Sequence, residues 1–217
     1  MSEGFSSFYA QLHHAALVPI VRISSEDDAY KLADALEKRG FDALIVCYEG
    51  EKTLSIVKAL ATLHPEMLVG ISEIVTTSQL DAAKDAGASF VTVPNYTQAI
   101  CEHGLAVGVP VISVTVDEGG IFHSNKLGLT LTGIMPAGDA PTLPSAELFG
   151  AAFKGSTYMP MGGVSPQDVT RYLASPYIEA IGVTDWMVKP QLLAKGDFAE
   201  IEKDLDHAHE LLQAAGR

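Results

Sequence analysis

Short apolar runs alternate with segments of helical periodicity along almost the whole chain. The runs are continuous in character, a pattern typical of parallel strands that are buried on both faces. They predict eight strands, at residues 17–23, 43–48, 67–75, 90–93, 109–116, 129–135, 157–161 and 178–183. The segments that follow them predict helices at 26–39, 51–63, 79–86, 97–103, 121–127, in the stretch up to 153, at 166–173 and at 198–214.

Residues that start and stop helices mark several of these boundaries. Ser24-Ser25-Glu26 predicts the start of the first helix, which Gly40 ends. Ser78 is expected to cap the helix that Gly87 ends. Ser165 is expected to cap the helix after the seventh strand through its hydroxyl, with Pro166 at the first helical position.

Eight strand–helix units in a chain of this size predict an α/β fold, a (β/α)8 TIM barrel, formed by residues 1–217 as a single domain. The alternative is a doubly wound open sheet, which usually has fewer strands. In a barrel the chemistry lies at the C-terminal ends of the strands. The functional question is therefore which residues occupy those ends.

Composition narrows the classes of partner. The 217 residues carry a formal net charge of −13, which disfavours nucleic acid and anionic membrane surfaces. The first fourteen residues contain no lysine or arginine, so neither a signal nor a transit peptide is expected and a cytoplasmic location is predicted. Cys47 and Cys101 lack metal-ligand spacing and are expected to be reduced thiols.

One glycine pair is a candidate anion site. Gly162-Gly163 lies between the seventh strand and the next helix, where free N–H groups favour a phosphate. A tight turn without any ligand accounts for the same two residues. The pair alone does not decide between these readings.

The chain resembles the 2-keto-3-deoxy-6-phosphogluconate (KDPG) and 4-hydroxy-2-oxoglutarate (KHG) aldolases over nearly its whole length. The resemblance rests on four stretches: Val18-Pro19-Ile20-Val21, Ala86-Gly87-Ala88 with Phe90 and Pro94, Met135-Pro136-Ala137, and Gly162-Gly163-Val164-Ser165-Pro166 with Tyr172-Leu173. It implies a (β/α)8 barrel, a homotrimer, and carbon–carbon cleavage of a 2-keto-3-deoxy sugar acid phosphate into pyruvate and an aldehyde. It also implies phosphate binding at Gly162 and Gly163 and at the turn Gly182-Val183-Thr184, where Val183 and Asp185 replace an expected glycine and serine. Pro94 and Arg22, at strand ends, are further candidate substrate-binding residues.

The reacting positions depart from the family pattern. Gly133 stands where the resemblance places the Schiff-base lysine, and none of the ten lysines falls on a predicted strand. Lys189, just after the eighth strand, is the one expected nearest the mouth. Ile45 stands where a glutamate serves as general acid/base, and Glu49 where an arginine meets the substrate carboxylate. A lysine-dependent mechanism is therefore not expected.

Glu49 and Glu73 are the candidate catalytic residues. Glu73 occupies a threonine position of the family pattern, and both carboxylates follow adjacent strands, with Asp117 as a further candidate member. Such a group could bind a divalent cation or a cationic ligand, or transfer protons. Exposed loop carboxylates of an acidic protein are the alternative, and Arg22 is expected to pair with one of them.

Three function classes follow from these residues. The first is an aldolase-type lyase, by resemblance. The second is a metal-assisted barrel enzyme that uses Glu49 and Glu73. The third is a non-catalytic protein that binds a phosphorylated metabolite. No cofactor is expected apart from a possible divalent metal, and the expected partners are a phosphorylated small molecule and further copies of the chain.

Overall fold

Eight parallel strands form the centre of the fold in the computed structural model, which describes residues 5–138 and 142–217. The strands are β1 (Leu17–Val21), β2 (Ala43–Cys47), β3 (Leu68–Ser72), β4 (Phe90–Pro94), β5 (Val111–Thr115), β6 (Leu131–Ile134), β7 (Thr157–Pro160) and β8 (Ile181–Val183). Each lies within, or overlaps, one of the predicted runs. Most are shorter than predicted, because the outer residues of each run lie in the loops.

The strand order shows that the sheet closes on itself. Neighbours in sequence are neighbours in space from β1 to β7, and β8 pairs with β1. Two bridges, Tyr158 with Ile178 and Met161 with Gly182, join β7 to the segment of β8. This arrangement confirms the (β/α)8 barrel and excludes the open doubly wound sheet.

Helices surround the barrel and connect its strands. They are α1 (Ser6–Ala15), α2 (Glu26–Glu37), α3 (Glu51–Leu63), α4 (Thr77–Asp85), α5 (Gln98–Val107), α6 (Glu118–Leu127), α7 (Thr142–Ala152), α8 (Val169–Leu173), α9 (Pro190–Lys195) and α10 (Phe198–Ala215), with a 3₁₀ turn at Pro166–Asp168. None of the helices within the described residues is long and apolar enough to cross a membrane.

The strands contribute side chains to two separate cores. One core fills the barrel interior and includes Val18, Ile45, Phe90 and Met159. The larger core lies between the outer face of the sheet and the helices. Burial on both faces explains why the strands are continuous apolar runs.

Helix α1 closes the N-terminal end of the barrel. Phe8, Leu12 and Ala15 belong to the interior core, and the Phe8 ring lies 5.2 Å from the ring of Phe90, the first residue of β4. This helix was not predicted from the sequence. It leaves the barrel interior open at the opposite end only, as far as the described residues define it.

Two predicted helix caps are wrong. Helix α4 is capped by Thr76, which accepts a hydrogen bond from the Gln79 N–H at 3.1 Å, and not by Ser78, which lies inside the first turn. Ser165 precedes the 3₁₀ turn as expected, but its hydroxyl donates to the Asp168 carboxylate at 2.8 Å and caps no backbone N–H. The hydrogen bond to Asp168 therefore replaces the expected hydrogen bond between the Ser165 hydroxyl and a backbone N–H of the helix.

Candidate active site

A cavity of about 330 Å³ lies at the C-terminal end of the barrel, where the loops leave the strands. Its wall is mostly apolar, and it combines strand ends with the loop after β8 and helix α9. The lining residues are Ile20, Val21, Arg22, Cys47, Ser72, Glu73, Thr92, Pro94, Val114, Met135, Met161, Thr184, Val188, Pro190 and Leu193. We call this space the mouth cavity.

Gly133 faces the barrel interior below this cavity. A Cβ atom at Gly133 would lie 2.9 Å from Cγ2 of Val114 and 3.4 Å from Cε and Sδ of Met161. Both neighbours line the mouth cavity. The position that the resemblance assigns to the Schiff-base lysine thus points into the barrel as the family pattern requires, but the Met161 side chain lies beside the vacant position.

Ile45 lies directly inside the barrel, fully buried in the interior core. Its side chain has no group that ionises, so it cannot transfer a proton. Among the described residues, the ionisable side chains that line the mouth cavity belong to Arg22, Cys47 and Glu73. Proton transfer at this site would therefore depend on groups other than the residue at position 45.

Arg22 joins the two candidate catalytic carboxylates. Its guanidinium donates from Nη1 to Glu49 at 3.3 Å and from Nη2 to Glu73 at 2.6 Å. The three side chains are each about half exposed, so the two ion pairs contribute little to folding stability. The cluster carries one net negative charge, and the two glutamates already engage the arginine that could bind an anionic ligand.

Glu73 is held in an unusual backbone conformation. Its φ angle is 64°, in the left-handed region that residues other than glycine seldom adopt. It lines the mouth cavity, whereas Glu49 lies outside the lining and meets Arg22 from the neighbouring loop. Asp117 is not part of this group, because its carboxylate caps α6 by accepting from the Gly120 N–H at 2.9 Å.

Neutral polar groups from β2 and β3 form part of the cavity floor. Cys47 and Ser72 pair across these strands, and both side chains line the cavity. Burial raises the pKa of the Cys47 thiol, so the thiol form is favoured. The Ser72 hydroxyl is buried and has no well-formed hydrogen bond among the described residues. Sequence reasoning assigned neither residue to the site.

The backbone conformation and packing of the Gly162-Gly163 loop account for both glycines. Their φ angles are 67° and 82°, and the Gly162 N–H donates to the Gly182 carbonyl at 3.2 Å. A Cβ atom at Gly163 would lie 2.9 Å from Cα of Gly138, in the loop after β6. Close packing of these loops requires the pair in the absence of any ligand, which is the tight-turn alternative.

The remaining predicted binding residues separate into two groups. Pro94, Arg22 and Thr184 line the mouth cavity. Gly182 faces the barrel interior, where a Cβ would lie 2.8 Å from Cγ of Met161, and Val183 belongs to the outer core beneath the helices. The Val183 side chain is therefore directed away from the cavity.

No lysine among the described residues lines the mouth cavity. Lys189, which was expected nearest to it, extends to helix α10 and pairs with Asp204 at 2.6 Å. The expected candidate for an imine is thus committed to a contact outside the cavity.

Comparison with known proteins identifies the family. A family model described as "KDPG and KHG aldolase" matches residues 9–204. The 2-dehydro-3-deoxy-phosphogluconate aldolase of Pseudomonas aeruginosa is 28% identical over 189 residues, which cover 87% of this chain and 86% of that protein.

Solved structures agree with this assignment. The 2-keto-3-deoxy-6-phosphogluconate aldolase of Zymomonas mobilis ZM4, crystallised with 3-phosphoglycerate, is 26% identical with a TM-score of 0.77, covering 89% of this chain and 92% of that one. The KDPG aldolase of Legionella pneumophila has the same fold, with a TM-score of 0.83 at 22% identity over 90% of this chain and 95% of that one. The chain belongs to the KDPG and KHG aldolase family.

Proposed function

We propose that this family member binds a phosphorylated 2-keto sugar acid, or a close relative of one, in the mouth cavity and does not cleave it through a lysine imine. The observation that carries the proposal is Gly133, which occupies the inward-facing position of β6 with Val114 and Met161 around it. An imine forms from an amine with a free lone pair within reach of the ligand carbonyl. The cavity wall offers no such amine among the described residues.

The acid/base position supports the same proposal. Schiff-base cleavage needs a group that moves protons to and from the substrate, and Ile45 supplies none. Among the described residues, Glu73 is the one carboxylate in the cavity lining, and it is paired with Arg22. Binding without catalysis therefore needs fewer changes to the observed arrangement than cleavage does.

Family membership supports a phosphate on the ligand. The Pseudomonas aeruginosa relative is named for a phosphogluconate derivative, and the Zymomonas mobilis structure contains 3-phosphoglycerate. In this chain the Gly163 N–H makes no hydrogen bond within the described residues, and Thr184 lies beside Gly162 at the cavity wall. These groups are the proposed contacts of the phosphate.

A metal-assisted lyase that uses Glu49 and Glu73 is the second candidate. One observation favours it: both carboxylates converge on a single cation, the Arg22 guanidinium. A divalent metal would have to displace that guanidinium before it could polarise a substrate carbonyl. We therefore propose it as the less direct alternative.

The imine prediction is tested by incubating the protein with pyruvate and sodium borohydride. We expect no covalent adduct by intact-mass spectrometry, because exposed lysines have a pKa of about 10.4 and are almost wholly protonated near neutral pH. The Pseudomonas aeruginosa relative serves as the control for the reagents. A pyruvate-sized mass increase that maps to one lysine would overturn the proposal.

Binding and cleavage are separated by calorimetric titration with KDPG in the presence and absence of Mg²⁺ or Mn²⁺. We expect saturable heat without release of pyruvate. Pyruvate release that requires the metal and is lost in Glu73→Gln would favour the metal-assisted lyase. The absence of saturable heat would contradict the proposed ligand class.

A further inference from the structure

A second cluster of ionisable side chains lies at the opposite end of the barrel from the mouth cavity. Asp34 and Glu37 stand one turn apart near the end of α2, and His64 directly follows α3. Residues at this spacing share one face of a helix. The two carboxylates therefore face the same histidine.

The contacts in this cluster are unequal. Nδ1 of His64 lies 3.0 Å from Oε2 of Glu37, and Nε2 lies 3.9 Å from Oδ1 of Asp34. The histidine is 8% exposed, whereas both carboxylates are open to solvent. No lysine or arginine among the described residues forms an ion pair with either carboxylate.

A neutral imidazole cannot satisfy both neighbours. It has one N–H donor and one nitrogen lone pair, and a carboxylate accepts but does not donate. When Nδ1–H donates to Glu37, the lone pair of Nε2 faces the carboxylate of Asp34 across 3.9 Å, too far for a hydrogen bond. A metal ion placed among the three groups would take an electron pair from the imidazole and from each carboxylate.

We propose that Asp34, Glu37 and His64 bind a divalent transition metal such as Zn²⁺. One ligating atom from each residue lies within 4.8 Å of the ligating atoms of the other two. Among the described residues, no other group of three histidine, cysteine or acidic side chains lies this close together. Bonds of about 2.0–2.2 Å from zinc place its ligands up to about 4 Å apart, so small rotations of the exposed carboxylates complete the site.

The donor set selects the class of metal. One imidazole with two carboxylates suits Zn²⁺, Co²⁺ or Mn²⁺, whereas Ca²⁺ and Mg²⁺ prefer oxygen donors throughout. Water would fill the remaining positions, because the carboxylates are exposed. A bound metal would tie the end of α2 to the end of α3 and would play no direct part at the mouth cavity.

The test is a calorimetric titration of the metal-stripped protein with Zn²⁺, combined with thermal melts and with visible absorption after titration with Co²⁺. We expect one equivalent to bind and to raise the melting temperature. Asp34→Asn and His64→Gln should each weaken binding by about tenfold or more. Asp34 is exposed, so its variant tests the site even if the His64 variant folds poorly.

His103 provides a matched control. Its Nε2 lies 2.7 Å from Oδ1 of Asp81, so it is also a histidine beside a carboxylate, but no second carboxylate joins the pair among the described residues. His103→Gln should leave the binding of Zn²⁺ unchanged. The proposal is overturned if wild-type protein binds no metal, or if Asp34→Asn and His64→Gln bind it as tightly as wild type and His103→Gln.

Discussion

Individual side chains inside the barrel are matched to glycines on the neighbouring strands. The Phe90 ring fills the space beside Gly70, where a Cβ would lie 2.4 Å from Cζ of the ring. At Gly133 a Cβ would lie 2.9 Å from one methyl carbon of Val114 and 3.4 Å from Cε and Sδ of Met161. The interior therefore tolerates an added methyl group at Gly133 better than at Gly70.

This difference gives a prediction for two alanine variants. Gly70→Ala should lower the free energy of unfolding by about 1–3 kcal/mol, since a rigid buried ring must shift to admit the methyl group. Gly133→Ala should lower it less, because the added methyl group crowds one methyl carbon of Val114 at 2.9 Å, whereas at Gly70 it meets three atoms of the Phe90 ring at 2.4–2.7 Å. Urea denaturation monitored by circular dichroism measures both. Equal losses would show that the packing around Phe90 is not what distinguishes the two positions.

The sequence predicts which residues belong to the mouth cavity better than it predicts which side chains face into it. The resemblance aligns Glu49, Glu73 and Gly133 with family positions, and Arg22 is predicted to pair with a glutamate because it ends the first strand. The structure brings Arg22, Glu49 and Glu73 together. Cys47 was taken as a structural thiol. In a strand buried on both faces the apolar pattern does not show which side chains face the interior, so its place in the cavity wall was hidden.

Helix starts show how side chains outside a helix fix its first turn. Thr76 and Gln79 form a reciprocal cap, in which the Thr76 hydroxyl accepts from the Gln79 N–H and the Gln79 side chain accepts from the Thr76 N–H. Thr76→Ala should therefore lower the free energy of unfolding by about 0.5–2 kcal/mol. Ser78→Ala is the matched control and should have little effect, because Ser78 caps nothing. Chemical denaturation of both variants decides between the two residues, and a larger loss in Ser78→Ala would contradict the observed cap.

The two helices that were not predicted, α1 and α9, have weak helical patterns in the sequence. Helix α1 follows Phe5, which cannot cap, and has no acidic residue in its first turn. Helix α9 has six residues, too few for a helical period to stand out. The strands could be predicted because eight buried runs recur at regular intervals, whereas these two helices depend on tertiary contacts that no local pattern contains.

The whole molecule should lose stability at alkaline pH. Burial raises the pKa of Cys101 from 9.0 to about 11 and that of Tyr158 from 10.0 to about 12. Because both raised pKa values belong to the folded state, the unfolded chain releases these protons first, and stability falls between pH 9 and 12. Thermal melts from pH 8 to 11 should show the loss. In Cys101→Ala the loss between pH 9 and 11 should be smaller, and an unchanged slope would rule out this thiol as its source.

The homotrimer implied by the family stays a prediction about the assembled molecule. Phe122 on α6 is half exposed, and its ring centroid lies 6.3 Å from that of Phe153. An apolar surface is therefore open to solvent there. Light scattering should give three times the chain mass of 23.0 kDa. Phe122→Glu should reduce that mass, while Leu63→Glu, at an exposed leucine on α3, should not. A stable wild-type monomer would contradict the trimer.

Helix α1 covers the N-terminal end of the barrel, so the barrel is accessible to a ligand from its C-terminal end. Phe8 and Leu12 pack beneath the side chains that fill the barrel, so the mouth cavity opens to solvent at the C-terminal end and not through the barrel, as far as the described residues define it. A ligand in the mouth cavity must therefore leave by the route through which it entered. An inhibitor lodged at the rim would therefore trap a ligand already inside as effectively as it bars a new one.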